Sequence, residues 1–301
     1  SLVTVSDREE IEELLEHPAL KRSLEVAGPM LNRWLLSIAR RQLVRPDGET
    51  IRSMRERDDD ERLKGQRALF ERMKAMTTER PWDQVAINRM ARYVALNDGR
   101  DRAMTALTYA IALPFLPPDQ ATAATYDEQY FARLYAQHRL LSHARSPFSL
   151  WGFVLRRLGS DRRVQRRLLD QLGEDDYGLH AVMITLDNAM HVLDSMCDIV
   201  QAQTPREARN EQSLKWLAVR TAPRQVIRQV PESFTLPFVR GRVPANSIVI
   251  MRMRDSLTTD TPSGYGFAAA HWSACPAQAY IHALFETVAE QARMSRSGEA
   301  T

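Results

Sequence analysis

Cys275 is the residue whose type and position could most directly do chemistry. It stands immediately before Pro276, where an apolar run that is typical of a helix begins. A cysteine at a helix start meets unpaired backbone N–H groups and the positive end of the helix dipole, which favour thiolate over thiol. Such a thiolate could ligate a soft metal or haem iron, or act as a nucleophile. The residues alone leave open a small buried cysteine without chemistry.

A second group of polar residues lies along one side of a long predicted helix, residues 177–201. Its members, spaced by seven, four, three and four positions, are His180, Asp187, His191, Asp194 and Asp198. Imidazole and carboxylate groups four residues apart share a helix face and can bind a divalent metal. Such a site needs ligands from a second helix, and the sequence shows no matching E-x-x-H motif. A polar helix face is therefore favoured over a metal site.

The elements that must position these residues are mostly helices. Apolar residues recur every three or four positions, which is the spacing of one helix face, in segments with Pro or Gly between them. These segments are 29–44, 60–78, 83–113, 126–144, 148–158, 161–172, 177–201 and 205–220. A strand at Leu2–Val5 precedes the first helix, for which Ser6 and Glu9 form a capping box. Short β-type runs occupy 225–227, 234–236 and 247–250. The fold class is therefore mainly α with a small segregated β region.

Composition narrows the possible classes of protein. Of 301 residues, 44% are hydrophobic and 26% charged, which is typical of a globular protein. No run of eighteen apolar residues and no secretion leader occur, so we expect no membrane partner. The formal charge of +3 comes from interleaved basic and acidic residues, so we expect no nucleic-acid partner. Two cysteines provide no disulfide framework, which indicates a cytoplasmic protein.

The segment around Cys275 resembles the haem-ligand loop and following helix of cytochrome P-450 proteins, whose pattern is F-G-x-G-x-[HR]-x-C-x-G. From Phe267 to Ala277 the sequence reads F-A-A-A-H-W-S-A-C-P-A. The helix 177–201 stands where the oxygen-activating I helix belongs, and 223–249 resembles the hairpin after the K helix. The resemblance is close in order and spacing over 177–293 and loose over 1–176. It implies a trimmed cytochrome P-450-like fold.

The resemblance implies haem b as cofactor, with Cys275 as the axial ligand of the iron. Arg228 matches an arginine that often reaches a haem propionate. Trp34 and Arg40 lie on an early helix that resembles the C helix, where they could bind the other propionate. His271 replaces a glycine of the ligand loop and is a further candidate haem contact.

Two positions carry the implied proton chemistry, and others depart from the family pattern. Asp187 and Asn188 stand where an acid–threonine pair usually delivers protons, and Asp187 is the candidate proton relay. An amide N–H is not an acid at neutral pH, so Asn188 can only hydrogen-bond. Gln212 and Lys215 replace the E-x-x-R pair of the K helix, and Ser273 replaces a basic residue near the cysteine.

These features predict one domain over residues 1–293, followed by a disordered tail at 294–301. Within it, residues 1–222 are helix-rich, 223–275 hold the β region and the cysteine loop, and 276–293 form the closing helix.

The predicted function is a haem-thiolate oxidoreductase that acts on a small organic molecule of specialised metabolism, using oxygen or peroxide. A separate ferredoxin would supply electrons where they are needed, because the sequence has no flavin or iron–sulfur motif. The alternative is a haem-free protein of the same fold that activates or recruits a partner biosynthetic enzyme. The lost E-x-x-R pair favours this alternative, whereas Cys275 and Arg228 favour haem.

Overall fold

A computed structural model describes residues 2–22, 24–79, 82–117, 125–202, 226–235, 242–253, 255–256 and 275–297. The predicted helix 205–220, with Gln212 and Lys215, lies outside the described residues, as do Ser273 and the candidate haem contact His271. No helix among the described residues is long and apolar enough to cross a lipid bilayer.

Helices form most of the described chain. Those that precede the long central helix are α1 (Arg8–Glu16), α2 (Met30–Leu43), α3 (Asp60–Glu79), α4 (Gln84–Leu96), α5 (Arg100–Ala112), α6 (Glu128–Arg145), α7 (Leu150–Arg157) and α8 (Ser160–Gln171). Short 3-10 turns occupy Arg52–Met54 and Leu113–Phe115. The helical periodicity of the sequence therefore located nearly all of these elements.

Two local features differ from the sequence prediction. The first helix is capped by Asp7, whose side chain accepts the N–H of Glu10, rather than by Ser6. The predicted helix 83–113 is two helices, because Asn97 and Gly99 adopt positive φ angles of 53° and 73° that a helix cannot continue through.

The long central helix is continuous but not uniform. It comprises α9 (Asp176–His180), a π-helical turn at Ala181–Thr185 and α10 (Leu186–Ala202). In the π turn the N–H of Leu186 donates to the carbonyl of Ala181, five residues earlier. Such single π turns are rare and frequently occur at functional sites.

The β region is small and lies beside α1. Strands β1 (Leu2–Val5), β2 (Val226–Val230) and β5 (Ser247–Met251) form one sheet in the order β1-β5-β2. β1 is parallel to β5, and β2 is antiparallel to it, with Arg228 opposite Val249. The short strands β3 (Phe234–Thr235) and β4 (Arg242–Val243) pair separately. The sheet packs its apolar face against Ile11, Leu14 and Leu15 of α1.

The closing helix α11 (Gln278–Ser297) packs along α4 in the main hydrophobic core. The Tyr280 hydroxyl, fully buried in this interface, donates to the carbonyl of Ala110 at 2.7 Å. The helix begins two residues later than the sequence prediction and continues four residues beyond it, into the segment assigned to a disordered tail. Ala292 is buried, and Arg296 donates to the carbonyl of Val200 at 2.8 Å, so tertiary contacts extend the helix.

Candidate functional site

A cavity of about 530 Å³ lies between the long central helix, α2, α3, β2 and the start of α11. Its wall includes six of the residues singled out in the sequence: His180, Asp187, Asn188, His191, Arg228 and Cys275. The volume is within the range of small-molecule and cofactor sites. Residues separated by almost ninety positions in the chain therefore face one cavity.

Cys275 lies at the cavity wall just before α11. Residues 276–277 form a turn, the N–H of Gln278 donates to the carbonyl of Cys275 at 3.3 Å, and the helix begins at Gln278. Burial raises the pKa of the Cys275 thiol, and it outweighs the opposing effects of the Ala277 N–H and the charge of Arg22. The direction of this shift is opposite to the thiolate expected from the helix start, because desolvation penalises the charged form more than the helix end stabilises it.

Three arginines, Arg22, Arg62 and Arg228, line the same cavity as Cys275. Burial and then the charge of Arg22 lower the pKa of Arg228 to about 9. The Arg228 guanidinium donates to the carbonyl of Ile227 at 3.0 Å, and it forms no salt bridge with any carboxylate of the described residues. Buried positive charge without a paired carboxylate is costly, so an anion bound here would be stabilised.

His180 is a neutral group in this part of the cavity wall. Its Nδ1 atom lies 2.8 Å from the hydroxyl of Ser53. Burial, and then the charge of Arg22, lower the pKa of His180 to about 3. The imidazole therefore supplies hydrogen bonding here, and no positive charge near neutral pH.

Asp187 is held by two side chains from α6. Its Oδ1 atom lies 3.3 Å from Nη2 of Arg145 and 3.6 Å from Nε2 of His138. Burial by itself would raise the pKa of Asp187, but the interaction with His138 and the charge of Arg145 hold it below its usual range. The carboxylate is therefore charged near neutral pH, and 35% of its side chain remains exposed at the cavity.

The same two side chains of α6 also bind the π turn of the central helix. Nδ1 of His138 lies 2.7 Å from the carbonyl oxygen of Val182, and Nη1 of Arg145 donates to the carbonyl of Met183. These donors contact carbonyl groups in the segment where the backbone hydrogen bonds join residues five positions apart instead of four. His138, Arg145 and Asp187 thus connect the irregular turn, α6 and the cavity wall.

Neither a protein-family model nor a curated protein matches the sequence. Solved structures do match. P450BioI, in complex with a hexadec-9Z-enoic acid ligated acyl carrier protein, superposes with a TM-score of 0.54 and 11% identity, over 97% of this chain and 84% of that one. CYP105D6 superposes with a TM-score of 0.51 and 15% identity, over 96% and 79%. The chain has a cytochrome P-450-like fold. At these identities the likeness extends to the architecture alone.

In a cytochrome P-450-like fold the residues of this cavity can be tested against the group that the fold implies, a haem. A thiolate-ligated haem needs a thiolate, which Cys275 can supply after losing its proton, and counter-charges for two propionates. Arg228 provides one such charge without a carboxylate of its own among the described residues, and Arg22 provides another beside it. The donor set therefore fits a thiolate-bound haem.

Two predicted haem contacts of this P-450-like chain lie elsewhere. Trp34 is 38% exposed and its ring packs against Phe148, with centroids 5.7 Å apart, and Arg40 is also exposed. The part of α2 that lines the cavity includes Ala39 and Gln42. Successive residues of a helix are rotated by about 100°. The side chains of Trp34 and Arg40 therefore point more than ~100° away from the direction in which Ala39 and Gln42 face the cavity. Trp34 and Arg40 therefore stay predictions as haem contacts, and they are not among the described residues that line this cavity.

Of the polar residues of the central helix, His180, Asp187 and His191 line the cavity, whereas Asp194 lies in a separate environment. Asp194 accepts hydrogen bonds from the Tyr93 hydroxyl and from Nη2 of Arg100, each at 2.7 Å, whereas His180 contacts Ser53. Across the part of the chain that the structure describes, no three His, Cys, Asp or Glu side chains are arranged to hold a metal ion.

Sequence reasoning missed several residues of the cavity wall. Thr185 lies two positions before Asp187 on the central helix, and the arginines Arg22, Arg62 and Arg145 lie far from it in sequence. An arginine-rich composition conceals such residues, because the sequence does not mark which of its arginines face a cavity. A residue three or four positions from Asp187 could have been found by helix periodicity, but partners from other elements could not.

Proposed function

We propose that this chain is a haem-thiolate oxidoreductase that acts on a small organic molecule, in the manner of cytochrome P-450 enzymes. The observation that carries the proposal is the shared cavity of Cys275, Arg228, Asp187 and Asn188. A soft ligand, a counter-charge for an acidic cofactor and a proton-handling pair thus meet in one cavity. A role in specialised metabolism remains the expectation from the sequence resemblance.

Cys275 and Arg228 would hold the cofactor. Cys275 binds through its sulfur after losing a proton, which the raised pKa of the thiol makes unfavourable in the protein without haem. Arg228, with Arg22 beside it, would donate hydrogen bonds to the propionates of the haem. The negative charge of the propionates would offset the cost of burying the guanidinium. A thiolate-ligated haem supplies the activation of oxygen or peroxide.

Asp187 would accept and pass on protons at the cavity. His138 and Arg145 keep it charged and fix the position of Oδ1, so at neutral pH it is a proton acceptor before it is a donor. Asn188, on the next position of the same helix, orients water or substrate by hydrogen bonds and transfers no proton.

The partners that we propose are a small-molecule substrate and a separate electron donor such as a ferredoxin, unless peroxide is used. P450BioI was crystallised with an acyl carrier protein, so a carrier protein or a biosynthetic enzyme that presents the substrate is a further candidate to test.

Reconstitution with hemin tests the proposal. The protein should develop a Soret band, and its reduced carbon monoxide complex should absorb at the position typical of thiolate ligation. Cys275→Ala should abolish that position. Cys197→Ala is the matched control, because Cys197 is buried elsewhere with its thiol 3.4 Å from the carbonyl of Tyr93. This variant should keep the spectrum.

A colourless protein that takes up no hemin would overturn the proposal and would favour the haem-free alternative, in which the fold serves a partner enzyme. Unchanged thiolate-type absorption in Cys275→Ala would equally contradict the assignment of the ligand.

A further inference from the structure

An apolar patch lies on the surface where the start of α2 meets the start of α7, and the rings of Trp34 and Phe148, with centroids 5.7 Å apart, join its two parts. Its six large side chains, none of which lines the cavity, are Met30, Trp34, Phe148, Leu150, Trp151 and Phe153. Their exposed area is about 800 Å², whereas the largest apolar patch of a typical monomer is about 300–600 Å². A patch of this size marks an interaction surface.

Hydrogen bonds fix the backbone beneath the apolar patch. Nη1 of Arg156 donates to the carbonyls of Ala144 and Ser146, at 2.6 and 3.0 Å. The hydroxyl of Ser149 caps α7 by accepting a backbone N–H of its first turn at 3.1 Å. Phe148 lies between these two anchored points, so the turn that carries it holds the ring outward.

The side chains of the apolar patch project strongly into solvent. Phe148 and Leu150 have 85% and 80% of their surface exposed, and Trp151 and Phe153 on the same helix are also exposed. A flat protein surface covers only one side of a projecting residue, whereas side chains this exposed lose water fully only in a medium that surrounds them. The interfacial region of a lipid bilayer is such a medium, and Trp, Phe and Leu are the side chains that insert there.

The charge around the apolar patch is positive. Residues 26–46 and 129–160, which include the patch, contain nine arginines and no aspartate or glutamate, although the whole chain has 41 basic and 38 acidic residues. Arg33 on α2 and Arg157 on α7 are exposed, and neither forms a salt bridge with a carboxylate of the described residues. Arginines beside apolar residues at a membrane interface attract anionic lipid headgroups.

We propose that the apolar patch binds the surface of an anionic lipid bilayer. Phe148, Leu150 and Trp151 enter the interfacial region, and Arg33 and Arg157 contact the phosphates of the headgroups. The expectation of no membrane partner came from the lack of a long apolar run, which detects only segments that span a bilayer. A patch assembled from two segments more than one hundred positions apart leaves no such run.

Two other occupants fit these observations less well. A second copy of the chain could cover the same area, since a stable dimer buries about 800 Å² on each partner. A symmetric contact would, however, bring the same arginines of both copies together. An acidic protein would complement the arginines, but it would need a pocket for each projecting side chain.

Sedimentation with lipid vesicles tests the proposal on the full chain without hemin, because the apolar patch lies outside the cavity wall. Vesicles with about one quarter phosphatidylglycerol in phosphatidylcholine should bind the protein at least about tenfold more tightly than phosphatidylcholine alone, since each arginine at an anionic surface contributes about fivefold. Arg33→Gln should weaken binding to the anionic vesicles by about fivefold and leave binding to the neutral vesicles unchanged.

Variants of the apolar side chains test the patch itself. Phe148→Ser and Trp151→Ser should each weaken binding to the anionic vesicles by about tenfold, because each removes apolar surface that the bilayer would bury in part. Phe70→Ser is the matched control, because Phe70 is an exposed aromatic residue of α3 that does not belong to the patch. This variant should bind as the unaltered protein does.

A protein that does not sediment with anionic vesicles would overturn the proposal, as would binding that both patch variants leave unchanged. Sedimentation velocity and binding of poly-L-glutamate identify the other occupants. A dimer that Trp151→Ser dissociates would assign the patch to a second copy, and poly-L-glutamate binding that Phe148→Ser and Trp151→Ser weaken would assign it to an acidic protein. Either result would overturn the assignment to a bilayer.

Discussion

Burial of His180 makes the stability of this protein sensitive to acid. The pKa of this imidazole falls from an ordinary 6.5 to about 3, because burial and the nearby charge of Arg22 disfavour the protonated ring. In the unfolded chain the ring recovers its ordinary value. The unfolded state therefore binds a proton below about pH 6.5 that the folded state does not, and stability falls as the pH decreases.

The size of the effect follows from that difference. Between about pH 6.5 and pH 3 the folded state loses about 1.4 kcal/mol for each pH unit through this one group. At pH 5 the accumulated loss is about 2 kcal/mol, and at pH 7 it is close to zero. A loss of about 2 kcal/mol is a substantial part of the free energy of unfolding of a typical domain, which is about 5–15 kcal/mol.

Urea denaturation of the hemin-free protein at pH 7 and pH 5 measures the effect. His180→Gln removes the titrating ring, so this variant should lose about 2 kcal/mol less than the unaltered protein between the two pH values. His143→Gln is the matched control, because His143 is exposed in the folded protein. Identical pH dependence of the His180→Gln variant and the unaltered protein would refute the assignment of a buried neutral imidazole.

Three further predictions concern packing and the thiol. Tyr280→Phe removes the buried hydrogen bond to Ala110 and should lower the free energy of unfolding by about 1–3 kcal/mol, measured by denaturation. Gly178→Ala would place a Cβ atom 2.8 Å from Cβ of Phe115, and overpacking should cost about 1–3 kcal/mol in the same assay. Hemin binding by the Cys275 thiol should tighten by up to about tenfold for each pH unit while the thiol remains protonated, and a pH-independent hemin affinity would contradict thiolate ligation.

The sequence was sufficient to predict most helices and the strands of the larger sheet, because their apolar residues repeat at the helical or strand period. The break at Asn97–Gly99 was missed although Asn and Gly are turn residues, since the apolar pattern continues on both sides of it. The end of α11 was missed for a different reason. Its last turn is polar, and the contact of Arg296 with Val200 that extends it is visible only in three dimensions.

Of the residues that a local pattern or a family motif marks, Cys275, Arg228, Asp187 and Asn188 line one cavity. Cys275 stands beside a proline, and Asp187 lies on the polar side of a long helix. Trp34 and Arg40, which only a loose resemblance marked, are not among the described residues that line the cavity, whereas Ala39 and Gln42 of the same helix are. An error of a single residue rotates a side chain by about 100° around the helix.

The part of the site that no sequence pattern could reveal is also the part that determines the chemistry of Asp187. On its own helix His191 lowers the pKa of this carboxylate, but burial would tend to neutralise it. Charge is retained because His138 and Arg145 approach from α6, where the same two side chains also contact the carbonyls of Val182 and Met183 in the π turn. The irregular turn, the charged carboxylate and α6 are therefore linked through two side chains that lie far from Asp187 in sequence.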